Sequence, residues 1–325
     1  MKSASGFVSS GLTRRGFIKA AGAVALAGGP LETLAKAAGV NKVEPFRFVH
    51  LADIHVDPAR RAGEGFRACL AAVHDLKPRP DFILTGGDLV MDVLKADASR
   101  AKMLFNLYTA ICKDSDIPIR QCMGNHDNFG WTPKGRVSPD HVGYGKKMAR
   151  DALGLEKTTY SFDHKGWHFC VVDDVQPADE SACWRAEVSE ADLDWLNRDL
   201  AAVGNRPTAV AAHVPFVRVS AFRNQRVAKG ETSLKVHQVS MCRNPGAILN
   251  LFDKHHVNLA LTGHTHQNER IDYRGTTHII EAAVCGAWWK GAHLGNPEGF
   301  GLFDMKADGT FTHSYRTYGW KAKTD

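Results

Sequence analysis

Short apolar runs alternate with helical stripes along the first half of the chain. The runs are contiguous, as in strands that are buried on both faces, whereas the stripes repeat apolar residues at three- and four-residue steps. The strands are predicted at 46–51, 81–85 and 117–123, and the helices at 65–75 and 98–113. This β-α-β-α-β order predicts a largely parallel sheet covered by helices, and therefore an α/β fold.

The second half continues this alternation and then changes to hairpins. Ser189 begins a helix as its N-cap, with Asp192 at the capping-box position. The other elements are predicted as a hairpin over 159–173, strands at 209–213 and 257–262, and a helix at 245–254. Further on, Arg274-Gly275 and Asp308-Gly309 each separate two apolar runs, as the turns of antiparallel hairpins do. We therefore expect a C-terminal β-hairpin extension.

The first 38 residues have the order of an export signal. Arg14 and Arg15 precede an apolar stretch at 20–31, and small residues follow it. The paired arginines resemble a twin-arginine signal, which a receptor of the export machinery reads as an address. We expect 1–38 to be a twin-arginine signal peptide, 43–325 to be the functional domain, and the protein to be periplasmic or otherwise extracytoplasmic. The alternative is an amphipathic terminal helix, which the glycines of this segment disfavour.

Composition excludes several classes of protein. With 44% apolar and 23% charged residues, the chain is neither disordered nor fibrous. The apolar stretch at 20–31 is shorter than the about 20 residues that a bilayer requires, so no stable membrane span is expected in the mature chain. The net charge is +6, but residues 1–37 contribute +4 of it. The remainder has no basic block that would indicate a nucleic-acid surface.

The seven cysteines do not indicate a thiolate metal site. They form no C-x-x-C pair, and their odd number leaves at least one unpaired within a monomer. Cys183 and Cys242 lie in polar stretches, so a disulfide between them after export stays open.

Five polar clusters follow apolar strands at their carboxyl ends. In open α/β sheets this edge is where ligands bind, and parallel strands bring such ends together. The clusters are Asp53-x-His55, Gly87-Asp88, Gly124-Asn125-His126-Asp127, His213 and Gly263-His264-Thr265-His266. Taken singly, each also fits an ordinary turn or a core histidine, so the inference depends on the set.

Together the clusters supply two carboxylates, one amide oxygen and four imidazoles. Seven such ligands exceed one tetrahedral zinc site and suit two first-row metal ions, with one carboxylate bridging them. The donors are Asp53, His55, Asp88, Asn125, His213, His264 and His266. Two metals about 3.5–4 Å apart stabilise both the attacking and the leaving oxygen of a phosphoryl displacement.

In this order, the clusters resemble those of the calcineurin-like metallophosphoesterases, from about residue 46 to the C-terminus. The resemblance implies a four-layer αββα sandwich. It also implies that Asp53, His55 and His266 bind one metal, that Asp88 bridges, and that Asn125, His213 and His264 bind the other. His126 would be catalytic, either stabilising the phosphate or protonating the leaving group. The metals would be two divalent or trivalent ions of iron, manganese or zinc.

Three features depart from or extend this pattern. Many relatives have an aspartate three residues after the bridging one, where this chain has Met91. Asp92 or Asp127 is left as the partner of His126, the alternative being that both are only solvated turn carboxylates. Trp288 and Trp289, near the C-terminus, line either the substrate rim or the core. Residues 217–239 carry several basic side chains and are expected to be a surface insertion, which either contacts an anionic substrate or is only solvated.

We therefore expect an exported metal-dependent hydrolase of phosphate esters. Among such enzymes we favour a phosphodiesterase that uses a hydroxide held by two metal ions. A phosphomonoesterase or nucleotidase of the same fold is one alternative. A non-catalytic metal-binding interaction scaffold is another, although such a protein would be expected to lack ligands, and here every ligand position is filled. Release of p-nitrophenol from a bis-ester and a mono-ester with added Mn²⁺ separates the enzyme from the scaffold.

Overall fold

The computed structural model describes residues 42–132, 137–178, 183–223 and 240–323. The predicted signal peptide at 1–38 lies outside these residues, and so does 224–239 of the basic insertion. Within the described part of the chain, no helix has the length and apolar character needed to cross a membrane. All seven cysteines are described and are free thiols, so Cys183 and Cys242 do not form the disulfide that the sequence leaves open.

The described residues form five α-helices and thirteen strands. The helices are α1 (Ala62–His74), α2 (Ala98–Lys113), α3 (Lys147–Leu153), α4 (Glu190–Val203) and α5 (Pro245–His255). The strands are β1 (Phe46–Leu51), β2 (Phe82–Thr85), β3 (Ile119–Arg120), β4 (Tyr160–His164), β5 (Trp167–Val171), β6 (Val175–Pro177), β7 (Trp184–Ala186), β8 (Thr208–Ala211), β9 (Leu259–Thr262), β10 (Glu269–Tyr273), β11 (Thr276–Ile280), β12 (Gly299–Met305) and β13 (Phe311–Thr317). Short 3₁₀ turns occur at Ala59–Arg61, Asn125–Asp127 and Ser220–Phe222.

The strands form two main sheets. The first has the order β13-β12-β1-β2-β3, in which β1, β2 and β3 are parallel and the C-terminal hairpin β12–β13 is antiparallel to β1. The second has the order β10-β11-β9-β8-β5-β4, with a parallel centre and a hairpin at each edge. Strands β6 and β7 form a separate ribbon.

The two sheets pack face to face through aromatic side chains. Phe48 of β1 stacks on Phe82 and Phe303, with ring centroids 5.1 and 4.7 Å away, and meets Phe169 of the second sheet edge-on at 5.5 Å. The alternate positions of β1, including Val49, face the opposite side and pack against α1 and α2. Helices α4 and α5 cover the outer face of the second sheet. These layers confirm the predicted αββα sandwich.

Most predicted elements are present, with differences at their ends. The strand predicted at 117–123 pairs only at Ile119–Arg120, because the hydroxyl of Thr85 accepts from the backbone N–H of Cys122, at 2.8 Å, where a ladder bond would otherwise form. Helix α1 begins earlier than predicted, directly after Arg60 and Arg61 in left-handed conformations. Helix α3 and the β6–β7 ribbon are short and were not predicted.

Candidate metal centre

The carboxyl ends of β1, β2, β8 and β9, with the segment after β3, converge on one site. Each predicted ligand lies within a few residues of its strand end. Most of them occupy left-handed backbone conformations, which are uncommon outside glycine and are concentrated at functional sites. These residues, with φ between 45° and 67°, are Asp53, His55, Asp88, His264 and His266. The chain turns sharply after each strand, and the turns direct the side chains into one cluster.

The first group of donors comes from β1 and β9. Nε2 of His55 lies 3.2 Å from Nε2 of His266, which in turn lies 3.5 Å from Oδ1 of Asp53. The other oxygen of Asp53 accepts from the backbone N–H of His264 at 2.8 Å, which ties the β1 and β9 loops together. All three donor side chains are buried. They are the residues predicted to hold the first metal.

The second group comes from β8, β9 and the turn after β3. Nε2 of His213 lies 3.0 Å from Oδ1 of Asn125 and 3.1 Å from Nδ1 of His264. Asn125 and His213 are buried, whereas His264 is half-buried. The structure therefore brings together the three residues predicted to hold the second metal.

Asp88 lies between the two groups. Its Oδ2 is 3.5 Å from Nε2 of His55 and 3.3 Å from Nε2 of His213, one histidine from each group. Its Oδ1 accepts from the backbone N–H of His126 at 2.8 Å, which fixes the carboxylate. This position is the one a bridging ligand requires.

Backbone carbonyls orient two of the histidines. Gly86 O accepts from Nδ1 of His213 at 2.8 Å, and Gly286 O accepts from Nδ1 of His266 at 2.6 Å. Such contacts leave Nε2 as the atom that faces the cluster and make it a better metal ligand. They belong to the shell that supports the ligands, which the sequence motifs do not reveal.

Two glycines of the motifs are required by close approach. A Cβ on Gly124 would lie 2.2 Å from Oδ1 of Asp88, and a Cβ on Gly263 would lie 2.4 Å from Oδ2 of Asp53. Neither distance is compatible with a side chain. The glycine before each ligand motif therefore allows a carboxylate to pack directly on the neighbouring backbone.

The electrostatics of the cluster favour cations. Burial raises the pKa of Asp88, but His213, His126 and His55 outweigh this effect and hold that pKa well below its usual value. Burial lowers the pKa of His213, but Asp88, Asp53 and Asp174 raise it to about 10. The negative charge that holds this proton would also favour a metal ion in its place, because metal binding displaces protons from ligands.

The donor set fits first-row transition metals. Oδ1 of Asp53 is buried and has no hydrogen-bond partner among the described residues, so an acceptor in the cluster stands unsatisfied. Imidazole, carboxylate and amide donors together suit iron, manganese and zinc. Asp88 with His213 and His264, and His55 with His266 and Cys285, each offer ligand atoms within 4.8 Å of one another.

His126 stands at the edge of the centre, with a quarter of its side chain exposed. Its ring meets that of His55 edge-on, with centroids 4.9 Å apart, and Nε2 lies 3.9 Å from Oδ2 of Asp88. Its side chain is more exposed than those of His55, His213 and His266, and it is close enough to Asp88 to act on a group bound there. His126 therefore lies between the buried donors and the solvent.

The structure distinguishes the two aspartates that the sequence left as partners of His126. The carboxylate of Asp127 accepts from the backbone N–H groups of Leu89, Val90 and Gly124, so it holds the loop that carries Asp88. Oδ1 of Asp92 instead lies 3.8 Å from Nδ1 of His126. Asp92 is therefore the carboxylate that faces the imidazole.

Two neighbours of the centre, Asp174 and Cys285, were not predicted as parts of it, and Trp288 takes the rim position that the sequence left as one of its two alternatives. Asp174 follows β5 and accepts from the backbone N–H groups of His213 and Val214, and it could have been found as a polar residue after an apolar strand. Burial raises the pKa of Asp174 to about 7. Cys285 and Trp288 reach the centre from the segment after β11, and no strand-end motif marks them.

The described part of the basic insertion does not present its first arginine freely. Nε of Arg218 lies 3.1 Å from Oε1 of Glu269, and both side chains are nearly buried. Arg223 is exposed, and Arg226 lies outside the described residues. Nε of Arg218 is therefore engaged in an ion pair with Glu269 that joins the start of the insertion to β10.

Comparison with known proteins agrees with the geometry. The model of the calcineurin-like phosphoesterase family matches residues 46–268. A 3′,5′-cyclic-nucleotide phosphodiesterase of Nostoc sp., alr5338, is 24% identical over 285 residues, which are 84% of this chain and 92% of that protein. The solved structure of GAP50, the anchor in the inner membrane complex of Plasmodium, shares the fold over 85% of both chains, with a TM-score of 0.51 and 16% identity. This chain belongs to the calcineurin-like phosphoesterase family and is a metal-dependent hydrolase of phosphoric esters.

Proposed function

We propose that this phosphoesterase is a phosphodiesterase that uses two transition-metal ions. The observation that carries the proposal is the carboxylate of Asp88, which lies within 3.5 Å of one histidine from each donor group. Seven donors are too many for one tetrahedral site, and the arrangement divides them into two groups around this carboxylate. The name of the Nostoc relative supports a diester as substrate.

In this proposal the donors divide between the two ions. Asp53, His55 and His266 would hold the first ion and Asn125, His213 and His264 the second, with Asp88 between them. When bound, two such ions neutralise the phosphoryl oxygens and lower the pKa of water enough for it to act as a nucleophile. Iron, manganese and zinc all accept these ligands.

The chain's own contribution to the reaction centres on His126. In hydrolysis, a bond forms between phosphorus and the oxygen of water while the bond from phosphorus to the leaving oxygen breaks, and one proton must reach that oxygen. Nε2 of His126 faces Asp88 and is positioned to supply this proton, or to stabilise charge on a phosphoryl oxygen. Asp92, on the Nδ1 side, would keep the imidazole oriented.

A side-by-side hydrolysis screen tests this function. Purified protein of measured metal content is assayed with diesters, monoesters and pyrophosphates in the presence of Mn²⁺. We expect turnover of diesters to exceed that of monoesters, and about two ions per chain. Preference for monoesters would instead identify a phosphomonoesterase or nucleotidase of the same fold, and one ion at full activity would overturn the two-metal proposal.

We also infer that the enzyme is exported by the twin-arginine route, with residues 1–38 as the signal and 43–325 as the metallophosphoesterase domain. Support comes from the order of Arg14-Arg15, an apolar stretch and small residues. As the resemblance to such signals implies, this route carries folded proteins. It therefore suits a chain whose metal ligands come from five distant segments and are buried only after folding. A periplasmic address favours the scavenging of phosphate from external esters.

A further inference from the structure

Trp288 lies directly beside the first group of metal ligands. The centroid of its ring is 4.6 Å from that of His266 and 6.0 Å from that of His55, and His293 meets the indole edge-on at 5.7 Å. The side chain is half-buried, whereas the neighbouring Trp289 is 1% exposed. Of the two tryptophans, Trp289 belongs to the core and Trp288 is presented at the centre.

The backbone holds Trp288 in an unusual conformation. The φ angles of Trp288 and Trp289 are 51° and 66°, and left-handed geometry is an outlier for residues this bulky. Trp289 anchors the segment: its Nε1 donates to the carbonyl of His55 at 3.0 Å, and its ring fills the space above Gly65, where a Cβ would lie 2.2 Å away. Such strain persists where surrounding packing enforces it, and it is concentrated at binding sites.

We propose that Trp288 is the platform on which a planar ring of the ester, such as a nucleobase, stacks. The inference rests on the proposed diesterase function and names its substrate class. The metal ligands recognise only the phosphate, which every ester shares, whereas an indole distinguishes a flat aromatic group from an aliphatic one. Stacking on an aromatic side chain tolerates any base, because every base has a π-face.

Equilibrium binding tests the platform without turnover. The affinities of metal-loaded protein for 5′-AMP and for inorganic phosphate are measured by calorimetry in the native enzyme, Trp288→Leu and Trp288→Phe. We expect Trp288→Leu to bind AMP about tenfold more weakly, in line with the loss of one base-stacking contact, and phosphate equally well. Trp288→Phe retains a ring and should keep most of the AMP affinity. Equal losses for both ligands, or no loss for either, would overturn the proposal.

Two controls separate stacking from folding. Trp195→Leu makes the same change at a half-buried tryptophan of α4, which packs against the apolar residues between α4, α5 and the second sheet. This variant should alter neither affinity. If Trp288→Leu does not fold, Trp288→Asn removes the ring with a residue that tolerates left-handed backbone.

A kinetic comparison distinguishes this inference from the proposed function. For 3′,5′-cyclic AMP, Trp288→Leu should raise KM about tenfold with little change in kcat. Stacking on the base stabilises the bound substrate and the transition state equally, so its loss weakens binding without slowing the chemical step. For glycerophosphoethanolamine, an aliphatic diester, KM should not change. If the native enzyme hydrolyses no diester, the proposed function fails, whereas the AMP and phosphate affinities still decide the role of Trp288. If Trp288→Leu raises KM equally for both diesters, Trp288 is not a stacking platform, whereas the proposed diesterase function is unaffected.

Discussion

Asp88 lies between the two donor groups and contacts a histidine of each. Its side chain is 2% exposed, and one oxygen faces a histidine of each group while the other is held by the backbone of His126. A neutral side chain of the same shape keeps most contacts but removes the charge that two cations would share. Substitution at this position therefore tests the division of the seven donors into two sites.

We expect Asp88→Asn to lose both ions together. Its carboxylate lies between the two donor groups, so removal of that negative charge weakens the binding of either cation, and activity should fall by at least the roughly 10- to 100-fold that the loss of a supporting contact costs. Metal content per chain and the rate of diester hydrolysis are the measurements. Asp194→Asn, on the exposed face of α4, should retain both properties. Two ions per chain with a near-normal rate in Asp88→Asn would contradict the bridging role.

His126→Ala should keep the metals and lose about 10²–10⁴ in rate, as the removal of a general acid does. The loss should shrink for esters with very acidic leaving phenols, because these need no proton. A leaving-group series with each variant measures this. Equal losses across the series would leave charge stabilisation as the role of His126, and loss of metal would show that it is a ligand.

Asp92→Asn is the companion variant. Because Oδ1 of Asp92 faces Nδ1 of His126 at 3.8 Å, its loss should lower kcat in the same leaving-group-dependent way, but by less than His126→Ala does. In His126→Ala, the additional change Asp92→Asn should have no further effect, since the group it orients is gone. Additive losses would show that Asp92 acts elsewhere.

At the level of elements, the site is made by strand ends and the glycines beside them. A parallel strand directs the following loop to one edge of the sheet, and a left-handed turn then points the ligand inward. Gly124 shows how little space is left, because the position of its missing Cβ lies 2.2 Å from Oδ1 and 2.3 Å from the backbone nitrogen of Asp88.

Gly124→Ala is therefore expected to displace Asp88 and to reduce binding of both metals, although no ligand is changed. Titration with Mn²⁺ followed by calorimetry measures the effect. Gly246→Ala, in the first turn of α5, meets nothing within 4 Å and should bind metal normally while stabilising its helix by about 0.5–1 kcal/mol. Normal metal affinity in Gly124→Ala would show that the loop relaxes around the added methyl group.

At the scale of the whole molecule, the two sheets are joined by an aromatic core and by one buried ionic cluster. Glu281, directly after β11 of the second sheet, is fully buried. Its carboxylate accepts from Nε2 of His313 of β13 at 3.2 Å and lies 3.7 Å from Nδ1 of His50 of β1. Burial raises the pKa of Glu281, but His313 and His50 outweigh this effect, so the pKa lies below its usual value.

This direction fixes the pH dependence of Glu281's contribution to stability. A carboxylate whose folded pKa is depressed stabilises the protein above its unfolded pKa, about 4.5, and loses that contribution as the pH falls through the folded pKa. Glu281→Gln should lower the free energy of unfolding at pH 7 by about 1.5–3 kcal/mol. The difference from the native protein should shrink below pH 4.5.

Urea unfolding of both proteins from pH 3 to 8 measures this dependence. Glu156→Gln, at an exposed position, should change stability by less than about 0.5 kcal/mol at every pH. A difference between Glu281→Gln and the native protein that stays constant from pH 7 to pH 3 would contradict the proposed linkage.

Export also concerns the whole molecule. Replacement of Arg14 and Arg15 by lysine keeps the positive charge but not the paired guanidinium groups, so active precursor should remain in the cytoplasm. Cell fractionation with immunoblotting and activity assays measures this. Lys2→Arg, which exchanges another basic residue of the segment, should not affect export. Processed enzyme outside the membrane in the double lysine variant would exclude the twin-arginine route and leave general secretion.

The sequence by itself determined the class of fold and the set of side chains that meet at the candidate metal centre. Runs such as 46–51 and stripes such as 98–113 reflect local periodicity, which the burial of one or two faces imposes directly. The candidate ligands could be found because each follows the end of a strand within a few residues. These patterns are local in the chain, so they can be interpreted without knowledge of the tertiary packing.

Only the tertiary structure decided which contacts each of several similar residues makes. The sequence does not distinguish Asp92 from Asp127 as the partner of His126, and the fold directs one to His126 and the other to backbone N–H groups. Trp288 and Trp289 are adjacent and identical, yet one is presented at the centre and the other fills the core. The sequence leaves the basic side chains of the insertion as either anion contacts or solvated groups, and the fold pairs Nε of Arg218 with Glu269, 51 residues later. Each outcome depends on contacts between distant segments, which sequence patterns do not encode.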